Sequence, residues 1–236
     1  MKPAEKQREV LIVDDHPLIR KGLCDAIGET HDLKVCDEAG GLHEALEAVA
    51  RRMPDMILLD LNLKDGNGWD FIKRVRAERG DVPILVVSVC DEEIYAARLL
   101  QAGANGYLMK DASIGQVIGA IRKVLRGDIA VSDAIASRLI RTATSANGQT
   151  GDAAELDRLS DRELQVFELL RGEKSNREIA DYLGISQKTI GTYKARLMEK
   201  LGVRTTSELM SYLQHASVSG KDEPSTGHAT GAIDFQ

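Results

Sequence analysis

The sequence predicts two domains of different class: an α/β domain on a five-stranded parallel, doubly wound sheet over residues 8–127, and an all-α domain of four helices over 156–215. Three observations predict this. Short continuous apolar runs alternate with helical patterns as far as residue 127, the signature of a parallel sheet covered on both faces. From Leu159 onward the periodicity is purely helical, and three Ser/Thr-x-x-Glu helix starts punctuate it. Between the two patterns lies TATSANGQTGDAAE, rich in Gly, Ser, Thr and Ala, which reads as a linker.

The apolar runs are Val10–Val13, Leu33–Cys36, Met56–Leu59, Ile84–Val87 and Tyr107–Met109. The helical stretches between and after them are Pro17–Ile27, Leu42–Arg51, Trp69–Arg79, Glu92–Gln101 and Ile114–Arg126. Leu42, Ala45, Leu46 and Val49 show the one-sided stripe such helices need. Residues 128–155 form the linker, with one short helix expected over Ser132–Arg141. In the second domain the capping pairs are Ser160/Glu163, Ser175/Glu178 and Thr205/Glu208, and a further helix is expected to start at Ser186. Residues 216–236 are polar and aperiodic and read as a disordered tail.

Composition is that of an ordinary globular protein, with 43% hydrophobic and 29% charged residues and a formal net charge of -6. No apolar run approaches the ~18 residues of a membrane helix, and MKPAEKQRE lacks the apolar centre of a signal peptide. A cytoplasmic location with no membrane partner is expected. Cys24, Cys36 and Cys90 are scattered, so three reduced, mostly buried thiols are expected rather than a disulfide framework or a zinc site. The acidic total hides a basic stretch: Lys188, Lys194, Arg196, Lys200 and Arg204 stand against Glu199 alone.

Each strand of the first domain ends in a polar group. Asp14 and Asp15 follow LIV, Asp60 follows MILL, Ser88 follows ILVV and Lys110 follows YLM. Ligands of open parallel sheets bind at the carboxyl ends of the strands, so these five groups are expected to share one rim. Three adjacent carboxylates call for a compensating cation, and an all-oxygen set suits Mg²⁺ better than zinc. With Asp14 and Asp15 spent on the metal, Asp60 can act as a nucleophile toward phosphorus, with Lys110 neutralising charge on the phosphoryl group and Ser88 bonding one of its oxygens. Glycines 66 and 68 let the LNLKDGNG loop fold tightly beside Asp60.

In the second domain, Asn176–Leu183 carries the small Ala180 against a tight Gly184 turn, and a second helix over Gln187–Leu201 follows. This is the pattern of a helix-turn-helix. Ile190, Tyr193, Leu197 and Leu201 make its buried stripe; Lys188, Thr192, Ala195 and Glu199 face outward, flanked by Gly191 and Arg196. Such a face fits the DNA major groove. Lys188, Thr192 and Arg196 would read bases, DNA shape would add to them, and Thr189, Lys194 and Lys200 would contact phosphates. Gly191 and Ala195 have little to offer a base edge, and glycine there suggests close approach to DNA or to a neighbouring helix.

VLIVDDHPLIRKGL, ILLDLNLKDGNGWD, VVS and AGANGYLMKDAS resemble the receiver domain of bacterial two-component response regulators, and LSDRELQVFELL with SNREIADYLGISQKTI is similar to the LuxR/NarL-type DNA-binding domain. The resemblance implies strand order 2-1-3-4-5, phosphorylation of Asp60 by a sensor histidine kinase, and Mg²⁺ held by Asp15 and Asp60 directly, Asp14 through water and the Asn62 carbonyl. It implies Ser88 and Tyr107 as switch residues and Lys110 as the phosphate-contacting lysine. It further implies homodimers on promoter DNA, with RNA polymerase as a further partner; Leu209, Tyr212 and Leu213 on one side of the last helix are expected as the dimer contact, with ordinary core packing as the alternative. Lys64 and Asp111 depart from the family, many of whose members carry proline there. Two alternatives stand beside this non-enzymatic switch. One is a regulator whose receiver serves only as a dimer platform. The other is a phosphohydrolase, disfavoured because Asn62 occupies the place of the general acid.

Overall fold

The structure is a computed structural model that describes residues 6–144, 156 and 158–215. In chain order the first domain contains β1 (Arg8–Val13), α1 (Pro17–Gly28), β2 (Leu33–Ala39), α2 (Leu42–Arg51) and β3 (Met56–Leu59). A small antiparallel hairpin, β4 (Asn62–Leu63) with β5 (Gly66–Asn67), follows. Then come α3 (Gly68–Arg79), β6 (Ile84–Ser88), α4 (Glu92–Gln101), β7 (Gly106–Met109) and α5 (Ile114–Leu125). The main sheet is parallel in the order β2-β1-β3-β6-β7, which is the expected 2-1-3-4-5 order of the five long strands.

Alternation along the strands divides the core. Leu11, Val13, Ile57, Leu59, Ile84 and Val86 face α2, α3 and α4, where Ala45, Val49, Phe71, Ile72, Val75 and Leu99 meet them. Val10, Ile12, Met56, Leu58, Leu85 and Val87 face α1 and α5 through Leu23, Ile27, Val117, Ile121 and Val124. A strand buried on both faces needs apolar residues at every position, hence the unbroken runs. The edge strand β2 runs further than its apolar start predicts, through Asp37 and Glu38 to Ala39, because an edge strand is only partly covered. The hairpin and a capping box at Ser113/Gln116, which opens α5, were not foreseen.

Beyond the sheet, α6 (Asp133–Thr144) includes the expected linker helix, and Ser132 Oγ accepts the Ile135 amide at its start. The second domain consists of α7 (Asp161–Arg171), α8 (Asn176–Leu183), α9 (Gln187–Lys200) and α10 (Thr206–His215). Ser160 and Ser175 form the expected capping boxes with Glu163 and Glu178, and Ser186 caps α9. At Thr205 only half of the box forms: Thr205 Oγ1 accepts the Glu208 amide, while the Glu208 carboxylate takes the amide of Arg204 instead. Gly184 ends α8 at φ 63°, a left-handed conformation that glycine adopts without strain. The expected linker between residues 145 and 155 and the tail at 216–236 lie outside the described residues.

The two domains touch. α7 lies against α4, so that Tyr95 and Leu99 share one apolar cluster with Leu156, Leu159, Leu164 and Phe167. Tyr95 Oη donates to the Leu164 carbonyl at 3.3 Å. Arg98 donates to the carbonyls of Leu159, at 2.9 Å, and of Leu156. Lys73 pairs with Asp161 at 2.7 Å. All three cysteines are free thiols, each partly buried.

Candidate functional site

Sheet register sets the acidic rim. Val13 pairs with Leu59, and the Asp60 amide donates to the Val13 carbonyl at 2.8 Å, so Asp14 and Asp60 emerge side by side. Likewise Ser88 pairs with Met109, and the Lys110 amide donates to the Ser88 carbonyl at 2.8 Å. Gly68 lets α3 start against this rim: a Cβ there would stand 2.8 Å from Leu61 Cα and 2.9 Å from the Asp60 carbonyl oxygen.

Lys110 Nζ lies 2.7 Å from both Asp60 Oδ2 and Asp14 Oδ2, with all three side chains buried. Asp60 Oδ1 accepts the Asn62 amide at 3.2 Å. Asp15 Oδ1 is buried without a hydrogen-bond partner; His16 Nδ1 is 2.6 Å away but not in bonding geometry. Ligand atoms of Asp14, Asp15, His16 and Asp60 lie within 4.8 Å of one another.

Burial pushes the Asp60 carboxyl up to about 6, Lys110 pulls it back and Asp14 adds to the rise. For Lys110, burial disfavours the ammonium, but Asp60 and Asp14 outweigh it and the net direction is up. One ammonium thus leaves the cluster short of positive charge. A buried carboxylate oxygen without a hydrogen bond, among three clustered carboxylates with the exposed His16 imidazole at their edge, fits a hard divalent cation such as Mg²⁺. Beside the acids, Ser88 Oγ accepts the Cys90 amide at 3.3 Å, and the fully buried Tyr107 donates its hydroxyl to the Cys90 carbonyl at 2.6 Å.

The structure therefore brings together Asp14, Asp15, Asp60, Asn62, Ser88, Tyr107 and Lys110. Sequence reasoning missed His16, although it directly follows the paired acids. It also missed the second domain's approach to the rim. Tyr182 of α8, under the Lys174 ammonium, is close enough that, after burial, the charge of Asp60 is the next cause of its raised pKa. Nothing local in the sequence signals that approach.

On α9, Lys188, Gly191, Thr192, Ala195 and Arg196 are exposed, while Ile190 and Leu197 are buried. Thr189 Oγ1 shares a hydrogen bond with the Ser186 cap at 2.8 Å, and Lys194 Nζ reaches Asn176 Oδ1 at 3.4 Å. Two expectations meet ties inside the domain. Lys200 is exposed, and its ammonium also bonds buried Glu163 at 2.6 Å and the Arg158 carbonyl at 3.0 Å. Leu209 and Leu213 sit in the domain's own core, 0% and 2% exposed, because α10 packs on α7. They form no dimer face here, whereas Tyr212 stays half-buried with its ring edge on Phe167. A Cβ at Gly191 would meet nothing within 4 Å, so no neighbouring helix demands the glycine.

An acid-rimmed parallel sheet joined to a helix-turn-helix with an open outer face defines a receiver coupled to a DNA-binding domain. Residues 10–122 match the family model described as response regulator receiver domain, and residues 157–213 match bacterial regulatory proteins, luxR family. Response regulator GacA of Pseudomonas syringae pv. syringae is 33% identical over 85% of this chain and 92% of its own length. Oxygen regulatory protein NreC of Staphylococcus carnosus is 32% identical over 86% and 95%. RcsB of Salmonella enterica serovar Typhimurium, in a complex with promoter DNA, shares the fold at TM-score 0.63 and 22% identity, covering 89% of this chain and 99% of that one. A LuxR-family response regulator from Aurantimonas sp. SI85-9A1 matches at TM-score 0.54 and 27% identity over 59% and 100%. The chain belongs to the two-component response regulators with a LuxR-type DNA-binding domain. Among the described residues, no helix is long and apolar enough to cross a membrane.

Proposed function

We propose that Asp60 accepts a phosphoryl group from the phosphohistidine of a sensor kinase and that this controls binding of the chain, as a dimer, to promoter DNA. The observation that carries the reading is the Lys110 ammonium 2.7 Å from Asp60, beside a buried Asp15 oxygen that accepts no hydrogen bond and has only the His16 imidazole near it. An Asp60 carboxylate oxygen attacks phosphorus; the new P–O bond forms as the P–N bond breaks, and the electron pair leaves on the imidazole nitrogen. Asp14, Asp15 and Asp60, with the Asn62 carbonyl, would hold Mg²⁺, which when bound offsets the phosphoryl charge. Lys110 stands ready to pair with a phosphoryl oxygen, and Ser88 Oγ to exchange its Cys90 contact for another.

That exchange pulls on the loop of Val89, Cys90 and Asp91, to which Tyr107 is tied and against which α7 ends. The switch is thus coupled to the docked helical domain. Two copies joined through their receivers then place two α9 helices on paired half-sites, each binding event raising the effective concentration for the other. Lys188, Thr192 and Arg196 present the donors for that contact, with Thr189 and Lys194 at its margin. Open space beside Gly191 favours close approach of DNA.

Treating the full chain with acetyl phosphate and Mg²⁺ tests the reading. One phosphoryl group should appear by intact mass, disappear in Asp60→Ala, and raise affinity for promoter DNA. Absence of the adduct would favour a receiver that serves only as a dimer platform.

A further inference from the structure

Near the C-terminal end of α7, a carboxylate points from one domain into the other. Glu168 Oε1 is buried with no hydrogen-bond partner. Its other oxygen, Oε2, takes Arg171 Nη2 at 3.1 Å, and that same nitrogen lies 3.7 Å from Asp91 Oδ2 of the first domain. One guanidinium therefore serves two acids across the interface. The remaining titratable groups facing Glu168 belong to the first domain: the Cys90 thiol, in the loop before α4, and the Tyr95 hydroxyl, on α4. Burial raises both, so neither ionises near neutrality. Neither supplies the positive charge that an ionised Glu168 lacks.

We propose that Glu168 is a proton-operated latch between the domains: neutral, it lets α7 seat on the α4 face; ionised, it drives that helix away from Asp91. Burial pushes the Glu168 carboxyl up to about 7, Arg171 opposes the rise and Asp91 adds to it. In the undocked chain Glu168 faces water and returns toward 4.5. The docked state binds the proton more tightly, so its stabilisation is complete below about 4.5 and is lost as pH rises through about 7. Between pH 6 and pH 8 the ratio of docked to open chain should fall by roughly tenfold. The device needs no phosphoryl group. It would make the receiver's hold on the DNA-binding domain responsive to alkalinisation, independently of Asp60.

Small-angle scattering from the full chain, with no phosphodonor and no divalent ion, tests this. The wild type and an Arg98→Ala background, which loosens docking, should both expand between pH 6 and pH 8. Glu168→Gln should remain compact at both values. Arg171→Gln, which removes the shared cation and leaves Glu168 in place, should move the expansion to higher pH. Scattering unchanged with pH in both backgrounds, or a Glu168→Gln chain that expands as the wild type does, would overturn the latch. Either failure leaves phosphorylation of Asp60 untouched, since that is read by mass.

Discussion

Lys110 Nζ stands 2.7 Å from Asp60 Oδ2, a pair that sheet register closes across 50 residues of sequence. The pair does not neutralise its surroundings, because Lys110 is shared with Asp14. Asp60 is thus held at about 6, above its ordinary 3.8, with burial as the main cause. Its contribution to stability is complete below about 3.8 and is lost as pH rises through about 6. At pH 7.5 the ionised acid costs the fold. Without divalent ions, Asp60→Asn should therefore stabilise the chain by roughly 1–3 kcal/mol, since Lys110 keeps Asp14 as its partner. Urea denaturation with a chelator present measures this, and the gain should shrink toward pH 4.

Gly68 is held to glycine by backbone on its open side, not by a left-handed conformation. A methyl group at this position would press into Leu61 Cα and the Asp60 carbonyl. Gly68→Ala should cost about 1–3 kcal/mol by overpacking and shift Asp60 relative to Lys110. Thermal unfolding reads the first effect and the rate of phosphorylation the second. A variant that unfolds like the wild type would show that the start of α3 yields easily.

The basic residues of α9 separate into two kinds. Lys188 is exposed at the helix start and free to meet a phosphate or base edge, so Lys188→Ala should weaken DNA binding and lower the salt slope by about 1. Lys200 holds buried Glu163, the residue that caps α7 through Ser160. Breaking such a partly buried pair leaves an uncompensated acid, so Lys200→Ala should destabilise the domain by about 2–4 kcal/mol. Its DNA affinity should change only as far as the folded fraction does. Binding isotherms at several salt concentrations, set beside unfolding curves, distinguish the two.

Residue pattern alone revealed the first domain almost completely, for a physical reason. A strand buried on both faces admits only apolar residues, so polar groups can enter only at its ends, and there Asp14, Asp60, Ser88 and Lys110 stand out. The same logic failed at the edge strand, where Asp37 and Glu38 are tolerated. The tie from Lys200 to Glu163 and the burial of Leu209 and Leu213 were hidden, because a basic or apolar residue on an amphipathic helix reads alike whether it meets a partner or its own domain. The docking of α7 on α4 was hidden for a different reason. It depends on Tyr95, Arg98 and Glu168, each of which looks like an ordinary residue of its own helix.

That docking yields the last prediction. Arg98 donates to two backbone carbonyls at the entry to α7, Leu159 at 2.9 Å and Leu156, both of which follow the linker. Charge-assisted hydrogen bonds to carbonyls in a partly buried contact contribute about 1.5–3 kcal/mol. Lys73 and Asp161, by contrast, are 58% and 31% exposed at 2.7 Å, and surface pairs of this kind contribute about 0–1 kcal/mol. Arg98→Ala should therefore shift the helical domain partway toward the undocked state, and Lys73→Ala should leave it docked. If opening and DNA binding draw on the same equilibrium, Arg98→Ala should also raise DNA affinity before any phosphorylation. Scattering from the two variants reads the opening, and titration with promoter DNA reads its consequence. An Arg98→Ala chain that expands but binds DNA no better would show that the docked receiver does not restrain the exposed face of α9.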